Sequence, residues 1–196
     1  EVAEQIGRKR QVPVQARVAD ATDEEAVRLA LSAVMSDSPR PPHVVYAAGV
    51  GSGQFGFPFW NVEPASWDRV WRVNVLGAVH TAHAMVPYWT RLRRGSLLLI
   101  SSIAGQIGSQ TDPPYSAAKA ALINFAQCAA KDLAAHDVRV NTICPGMIKT
   151  ELNRSVWQAW YDRQPAGDRQ SYDDWAAEKI QRLTPLGRWQ QPEDVA

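Results

Sequence analysis

Cysteine is scarce in this chain of 196 residues: only Cys128 and Cys144 occur, they fit no C-x-x-C pattern, and two are too few for a disulfide framework. Two buried thiols in a reducing compartment are expected, which points to the cytoplasm. Long apolar runs are absent too; none approaches the roughly 18–20 residues needed to cross a bilayer, so no membrane partner is expected. Neither charge sign prevails: 21 Lys plus Arg face 20 Asp plus Glu, and no basic run is longer than Arg8-Lys9-Arg10. That excludes a nucleic-acid footprint. No G-x-S-x-G elbow occurs, and Ser102 lacks a placed His and acid, so hydrolase chemistry fits poorly. His80 and His83 stand three apart on a helical pattern, but no third ligand has suitable spacing, which favours packing or interface histidines over a metal site.

What is present is ordinary globular composition, 45% hydrophobic and 21% charged, at a length that suits one domain. Val12 to Val18 alternates around Pro13 and reads as a short edge strand. Thr22 and Glu25 have capping-box spacing, with Ala26, Leu29, Ala30 and Val34 at helical intervals until Pro39, Pro41 and Pro42. His43 to Ala48 is a continuous apolar run, as expected of a strand buried on both faces. From Ser66, a good N-cap, a helical pattern runs to about Arg94 with Pro87 as a bend. Ser96 to Ser101 is the next strand, Tyr115 to Ala135 an alanine-rich helix with Pro114 near its first turn, and Val138 to Ile143 a further strand. Alternating strands and helices predict a parallel, doubly wound α/β sheet in a single domain spanning 1–196. Ligands bind such sheets outside the carboxyl ends of the strands. Ala48-Gly49, Ser101-Ser102 and Pro145-Gly146 should therefore line one crevice.

Tyr115 and Lys119 lie one helical turn apart, so phenol and ammonium share a face. A cation that close can lower a phenol's pKa by roughly 1–3 units and make it an acid or base near neutrality. Ser102 stands 13 residues earlier at the crevice, and Asn74 is an amide in mid-helix, where it favours neither helix nor apolar packing.

Asn74, Ser102, Tyr115 and Lys119, in this order and spacing, resemble the catalytic tetrad of the short-chain dehydrogenase/reductase family. Asp20-Ala21-Thr22-Asp23, Ala47-Ala48-Gly49, Val138-Arg139-Val140-Asn141, Pro145-Gly146 and Leu186-Gly187-Arg188 with Pro192-Glu193-Asp194 are similar to further motifs of that family. The resemblance implies a Rossmann-like, three-layer α/β/α fold. It implies an NAD- or NADP-dependent oxidoreductase interconverting an alcohol and a carbonyl in a small-molecule substrate. Tyr115 would move the hydroxyl proton, Lys119 would lower its pKa and hold the nicotinamide ribose, Ser102 would orient the carbonyl oxygen, and Asn74 would help hold a relay water. Cofactor contacts would fall on Asp20 at the adenine, on Ala21, Ala47, Ala48 and Gly49, on Tyr115 and Lys119, on Pro145 and Gly146, and on Ile148 and Thr150 at the carboxamide. A non-catalytic dinucleotide-binding or regulatory protein on the same fold is the alternative; the family's epimerase and dehydratase branch usually carries a larger substrate domain.

Two departures stand out. Tyr46 and Ala47 replace the family's two asparagines, so the bonds that tie the sheet there must come from elsewhere. The family's glycine-rich pyrophosphate turn is missing. Gly51, Gly53 and Gly56 spell G-x-G-x-x-G, but Pro58 and Pro64 forbid the helix that would hold the phosphate, and a flexible loop over the crevice is expected instead. With a start inside a helical pattern and an end at the onset of another, the sequence reads as an internal fragment. The helices Ser66 to Arg94 and Tyr115 to Ala135 are apolar around much of their circumference, which with the resemblance implies a homodimer or homotetramer. Residues 151–184 form the expected substrate lid, with Trp157, Trp160 and Tyr161 on one helical face, a break at Gln164 to Asp168 and a second helix from Asp173 to Ile180.

Overall fold

A computed structural model describes residues 2–36 and 42–195. Three parallel strands, β1 (His43–Tyr46), β2 (Gly95–Ile100) and β3 (Val138–Ile143), make one sheet in the order β1-β2-β3. Tyr46 lies opposite Leu99, and Leu97 opposite Val140, so these side chains share one face. Helices pack on that face: Met35 of α2 (Glu24–Ser36), Ala78, Met85 and Trp89 of α4 (Gly77–Leu92), and Leu122, Ala126 and Leu133 of α6 (Pro113–Ala134). Each fully buried leucine there, such as Leu97 or Leu99, stabilises the fold by roughly 1.5–3 kcal/mol.

The parallel strands require long crossovers. From β1 to β2 the chain passes through α3 (Pro64–Trp71), a π-helical segment (Arg72–Leu76) and α4; from β2 to β3 it passes through α5 (Ala104–Ile107) and α6. α1 (Val2–Arg10) precedes α2, and α7 (Glu151–Tyr161) and α8 (Tyr172–Leu183) follow β3 around an aromatic cluster of their own, with Tyr172, Trp175 and Ala176 at its centre. The chain is thus a Rossmann-like α/β domain with a parallel sheet and flanking helices.

Several local expectations are corrected. Val12 to Val18 is not a strand; every residue of it is exposed, because a strand exists only through a ladder and none of the described residues pairs with it. Thr22 does not cap α2. Its N–H and O–H both donate to Asp20 Oδ1, at 2.8 and 2.9 Å, and Asp23 caps instead, accepting the Ala26 N–H at 3.0 Å. Ser66 lies inside α3, which begins at Pro64, a residue whose fixed φ suits the first helical position. β1 stops at Tyr46 and is buried on one face only, Val45 being 59% exposed, since its outward face carries no helix among the described residues. Pro39 and Pro41 lie outside the described residues. Cys128 is exposed rather than buried, on the outer side of α6.

The Tyr46 departure finds its replacement here. The Tyr46 hydroxyl donates to the Val73 carbonyl and so ties β1 to the π segment. In that segment the Gly77 N–H reaches Arg72 O, five residues back, whereas an α-helical one would reach Val73 O. The phenol occupies the acceptor that the wider turn releases. Gly77 is what admits it: a Cβ there would come 2.2 Å from the Tyr46 hydroxyl oxygen.

Candidate active site

The three strand ends do converge. Ala47 and Gly49 after β1, Ser101 and Ser102 after β2, and Pro145 and Gly146 after β3 all line one cavity of about 420 Å³, together with Tyr115, Lys119, Ile148 and Thr150. Asp20, Ala21, Ala48 and Asn74 do not line it. Ala21 instead packs at Gly77, and its carbonyl meets the His80 ring at 3.2 Å, which makes His80 a packing residue.

The helix bearing the tyrosine and lysine is held in place at several points. Ser101 Oγ donates to the Lys119 carbonyl at 2.7 Å, Ser116 Oγ donates to the Ala104 carbonyl at 2.6 Å, and Asp112 caps the helix by accepting the Tyr115 N–H at 3.3 Å. Lys119 is buried, 4% exposed, and its ammonium donates to the Ile100 carbonyl at 2.7 Å while lying 5.4 Å from the centre of the Tyr115 ring. Burial lowers the Lys119 pKa to about 8.

The Tyr115 phenol moves opposite to the sequence expectation. Burial dominates and raises its pKa; the neighbouring Ser102 hydroxyl pulls the other way, and the nearby Asp112 carboxylate adds to the rise. With the Lys119 ammonium directed at a backbone carbonyl, the phenol is protonated at neutral pH.

Asn74 is completely buried at the π segment, where Oδ1 accepts the Val50 N–H at 3.0 Å and Nδ2 donates to the Val50 carbonyl at 2.8 Å. This explains an amide in mid-helix: it pairs with the backbone of the next loop. A Cβ at Gly49 would sit 2.8 Å from Asn74 Oδ1 and 3.2 Å from Lys119 Nζ, so glycine is what lets the strand end, the amide and the ammonium meet.

The loop after β1 is tied down at several points. Ser52 N–H donates to Asp112 Oδ2 at 2.8 Å, Gly56 N–H to the Thr111 carbonyl at 2.9 Å, and the Gln54 amide spans Ser66 and Glu63. Asp112 was missed by the sequence reading, though an Asp directly before Pro113-Pro114 is an N-cap signal. Its carboxyl pKa is raised, since burial outweighs the bonds from Ser52 and Tyr115.

The region after Thr150 folds as two helices, with Thr150 and Ser171 as N-caps. Trp157, Trp160 and Tyr161 do not line this cavity at the strand ends. Trp157 donates its indole N–H to the Gln170 carbonyl at 3.2 Å and packs on Tyr161 and Tyr172, so it joins α7 to α8. Trp160 lines a second, adjoining cavity of about 730 Å³, and Tyr161 lies under the Arg169 guanidinium. The residues of α8 that do reach the cavity at the strand ends are Trp175, Lys179 and Leu183. Their i, i+4, i+8 spacing marks one helix face and was readable in the sequence.

A family model described as short chain dehydrogenase matches residues 1–160. Human (3R)-3-hydroxyacyl-CoA dehydrogenase is 33% identical over 180 residues, covering 91% of this chain and 62% of that protein. The chain therefore spans about three-fifths of the length of that relative. Galactitol 2-dehydrogenase of Rhizobium johnstonii is 30% identical over 192 residues, 96% of this chain and 68% of that protein. Among solved structures, an NAD+-bound xylitol dehydrogenase superposes with a TM-score of 0.86 at 25% identity, over 98% of this chain and 75% of that one.

Proposed function

The chain belongs to the short-chain dehydrogenase family, and from that premise we propose that it interconverts an alcohol and a carbonyl with NAD or NADP, Tyr115 serving as the acid and base. The observation that carries this reading is the meeting of Ser102, Tyr115 and Lys119 in one cavity at the carboxyl ends of the strands.

The residues fit the nicotinamide half of such a cofactor. Backbone and small side chains line the crevice at Ala47, Gly49, Pro145 and Gly146. The Lys119 ammonium gives one of its three N–H groups to Ile100 and keeps two for ribose hydroxyls. Ile148 forms a parallel bridge with Gln190 through the N–H of Lys149 and the carbonyl of Met147, so its own N–H points away from Gln190 and is free for a carboxamide. Thr150 stands beside it on the same cavity. Asp20, Ala21 and Ala48 remain the proposed contacts farther along the cofactor. The cofactor, when bound, gives or takes the hydride.

The chain's own groups do the rest. Ser102 and Tyr115 both present hydroxyls to the cavity, so a substrate oxygen placed between them receives two hydrogen bonds. In reduction the protonated phenol donates its proton to the oxygen as charge develops there. In oxidation the phenol must first lose its proton, which its raised pKa opposes; oxidation accordingly gains rate with rising pH. Asn74 acts as a positioning residue, holding the Gly49–Val50 turn against Lys119, because its amide is committed to Val50.

Residues 151–184 serve as the substrate cover in this proposal, through Trp175, Lys179 and Leu183 rather than the α7 aromatics. Free Cys128 and Cys144 support a cytoplasmic setting. The exposed Trp67 and Trp71 of α3 support assembly as a dimer or tetramer. Turnover of a panel of alcohols and ketones with each nicotinamide, in the intact protein and in Tyr115→Phe, is the test. A loss of roughly 10²–10⁴-fold is expected, the usual worth of a general acid; undiminished turnover in the variant would refute the assignment.

A further inference from the structure

One cation near the catalytic cavity has no role in the chemistry above. Lys179, on the cavity-facing side of α8, lines both the catalytic cavity and the larger cavity beside it. Its ammonium donates to Thr111 Oγ1 at 3.1 Å and lies 4.3 Å from the centre of the Trp175 ring. Among the described residues it has no carboxylate within ion-pair distance.

The acids in its surroundings are engaged elsewhere. Asp112, on the same cavity, gives one oxygen to the Tyr115 N–H and the other to the Ser52 N–H. Glu178, next to it in sequence, meets the Gln170 amide at 3.5 Å. Arg182 adds a second positive charge to the lining of the outer cavity. An ammonium left without a counter-ion pays a desolvation cost that an incoming anion would relieve. That cost is visible in its pKa, which burial, reinforced by Arg182 and partly offset by the Glu178 charge, lowers to about 8. One N–H is used on Thr111, which leaves two for a ligand.

Resting on the oxidoreductase reading, we propose that Lys179 receives the anionic group, carboxylate or phosphate, of a hydroxy or keto substrate whose reacting carbon sits at Ser102 and Tyr115. The shared wall of Thr111, Trp175 and Lys179 marks where the substrate leaves the catalytic cavity and its charged end enters the outer one. Trp175 covers the ammonium from one side and excludes water there. The substrate class is therefore an anionic alcohol or ketone with its charge remote from the reacting carbon.

Two measurements test this on the intact protein. In the first, a six-carbon polyol, its terminal carboxylate and its terminal phosphate are compared by kcat/KM in the native enzyme, Lys179→Met and Lys179→Arg. The native enzyme is expected to prefer an anionic form by at least tenfold; the preference falls to within about twofold in Lys179→Met and is largely restored in Lys179→Arg. Which anionic form leads separates phosphate from carboxylate. A native preference for the neutral polyol, or an equal loss on all three in Lys179→Met, would overturn the proposal. In the second, native protein is labelled with an amine-acylating reagent, and modification of Lys179 is followed by mass spectrometry with inorganic phosphate, acetate or chloride present. Phosphate or acetate should slow labelling at least fivefold relative to chloride, and equal rates in all three salts would refute an anion site. This second readout needs no turnover. If Tyr115→Phe keeps full activity, the oxidoreductase reading fails while labelling still reports on Lys179; if Tyr115-dependent turnover is intact and the anions give no protection, the anion site alone fails.

Discussion

Gly49→Ala places a methyl group where β1 ends, 2.8 Å from Asn74 Oδ1 and 3.2 Å from Lys119 Nζ. Neither neighbour yields easily, because Asn74 is fully buried and bonded at both ends to Val50, and Lys119 is held on the Ile100 carbonyl. Overpacking of this kind costs about 1–3 kcal/mol. Against it stands a gain of about 0.4–1 kcal/mol from reduced freedom of the unfolded chain, so the midpoints of the two ranges leave a net loss of about 1.3 kcal/mol. Asn74→Ala alone should cost about 2–4 kcal/mol, since it strands the half-buried N–H and carbonyl of Val50. The two changes share one space. In the double variant the alanine at 49 meets no amide oxygen, so the combined loss should fall short of the sum by about 1–2 kcal/mol. Urea denaturation of the four proteins measures this cycle. Additive losses, or a Gly49→Ala variant as stable as the parent, would refute the steric argument.

Further outcomes follow from the same geometry. Asp112→Ala removes the cap of α6 and the anchor of Ser52; a loss of about 1–3 kcal/mol is expected, with faster hydrogen exchange at the Ser52 and Tyr115 amides, and unchanged exchange there would contradict it. Trp157→Ala should loosen α7 from α8, seen as faster proteolysis within 151–184, while the ranking of substrates stays as it was, because Trp157 bonds Gln170 and does not reach the catalytic cavity. For Lys119, burial holds the pKa near 8 against an ordinary 10.5. The unfolded chain therefore binds the proton more readily between those values, and stability relative to Lys119→Met should rise with pH through that window and be flat below it. Urea midpoints from pH 7 to 11 would show it, and a gap independent of pH would count against a desolvated lysine.

What the sequence disclosed and what it concealed divide along physical lines. The short strand-like segments at residues 43–48, 96–101 and 138–143, alternating with longer helical patterns, called for a parallel sheet, and the spacing of Tyr115 and Lys119 needs nothing beyond helix geometry, so both were legible. Val12 to Val18 has the alternation of a strand, but alternation describes faces and cannot supply a ladder partner. The helix starts at Asp23 and Pro64 were misplaced because Thr22 and Ser66 spend their hydroxyls on Asp20 and Gln54, choices that only three-dimensional neighbours settle. The tyrosine's pKa was misjudged for a related reason: helical spacing brings the ammonium near but says nothing of the Ile100 carbonyl that accepts its hydrogen bond, or of the burial that dominates both groups. Asp112 and Lys179 left a cap signal and a helix-face spacing in the sequence, but a charged side chain there reads as solvated until packing shows it enclosed, so both were passed over as site residues.

Deuterium tracing probes the assignment of Ser102, Tyr115 and Lys119 most directly. A ketone panel is reduced by the intact protein with nicotinamide cofactor carrying deuterium at C4, and the alcohol product is examined by mass spectrometry and proton NMR. The geometry calls for one deuterium on the carbinol carbon, a solvent-derived proton on its oxygen, and loss of this product in Tyr115→Phe. An alcohol formed without deuterium on carbon, or formed equally well by the variant, would contradict it.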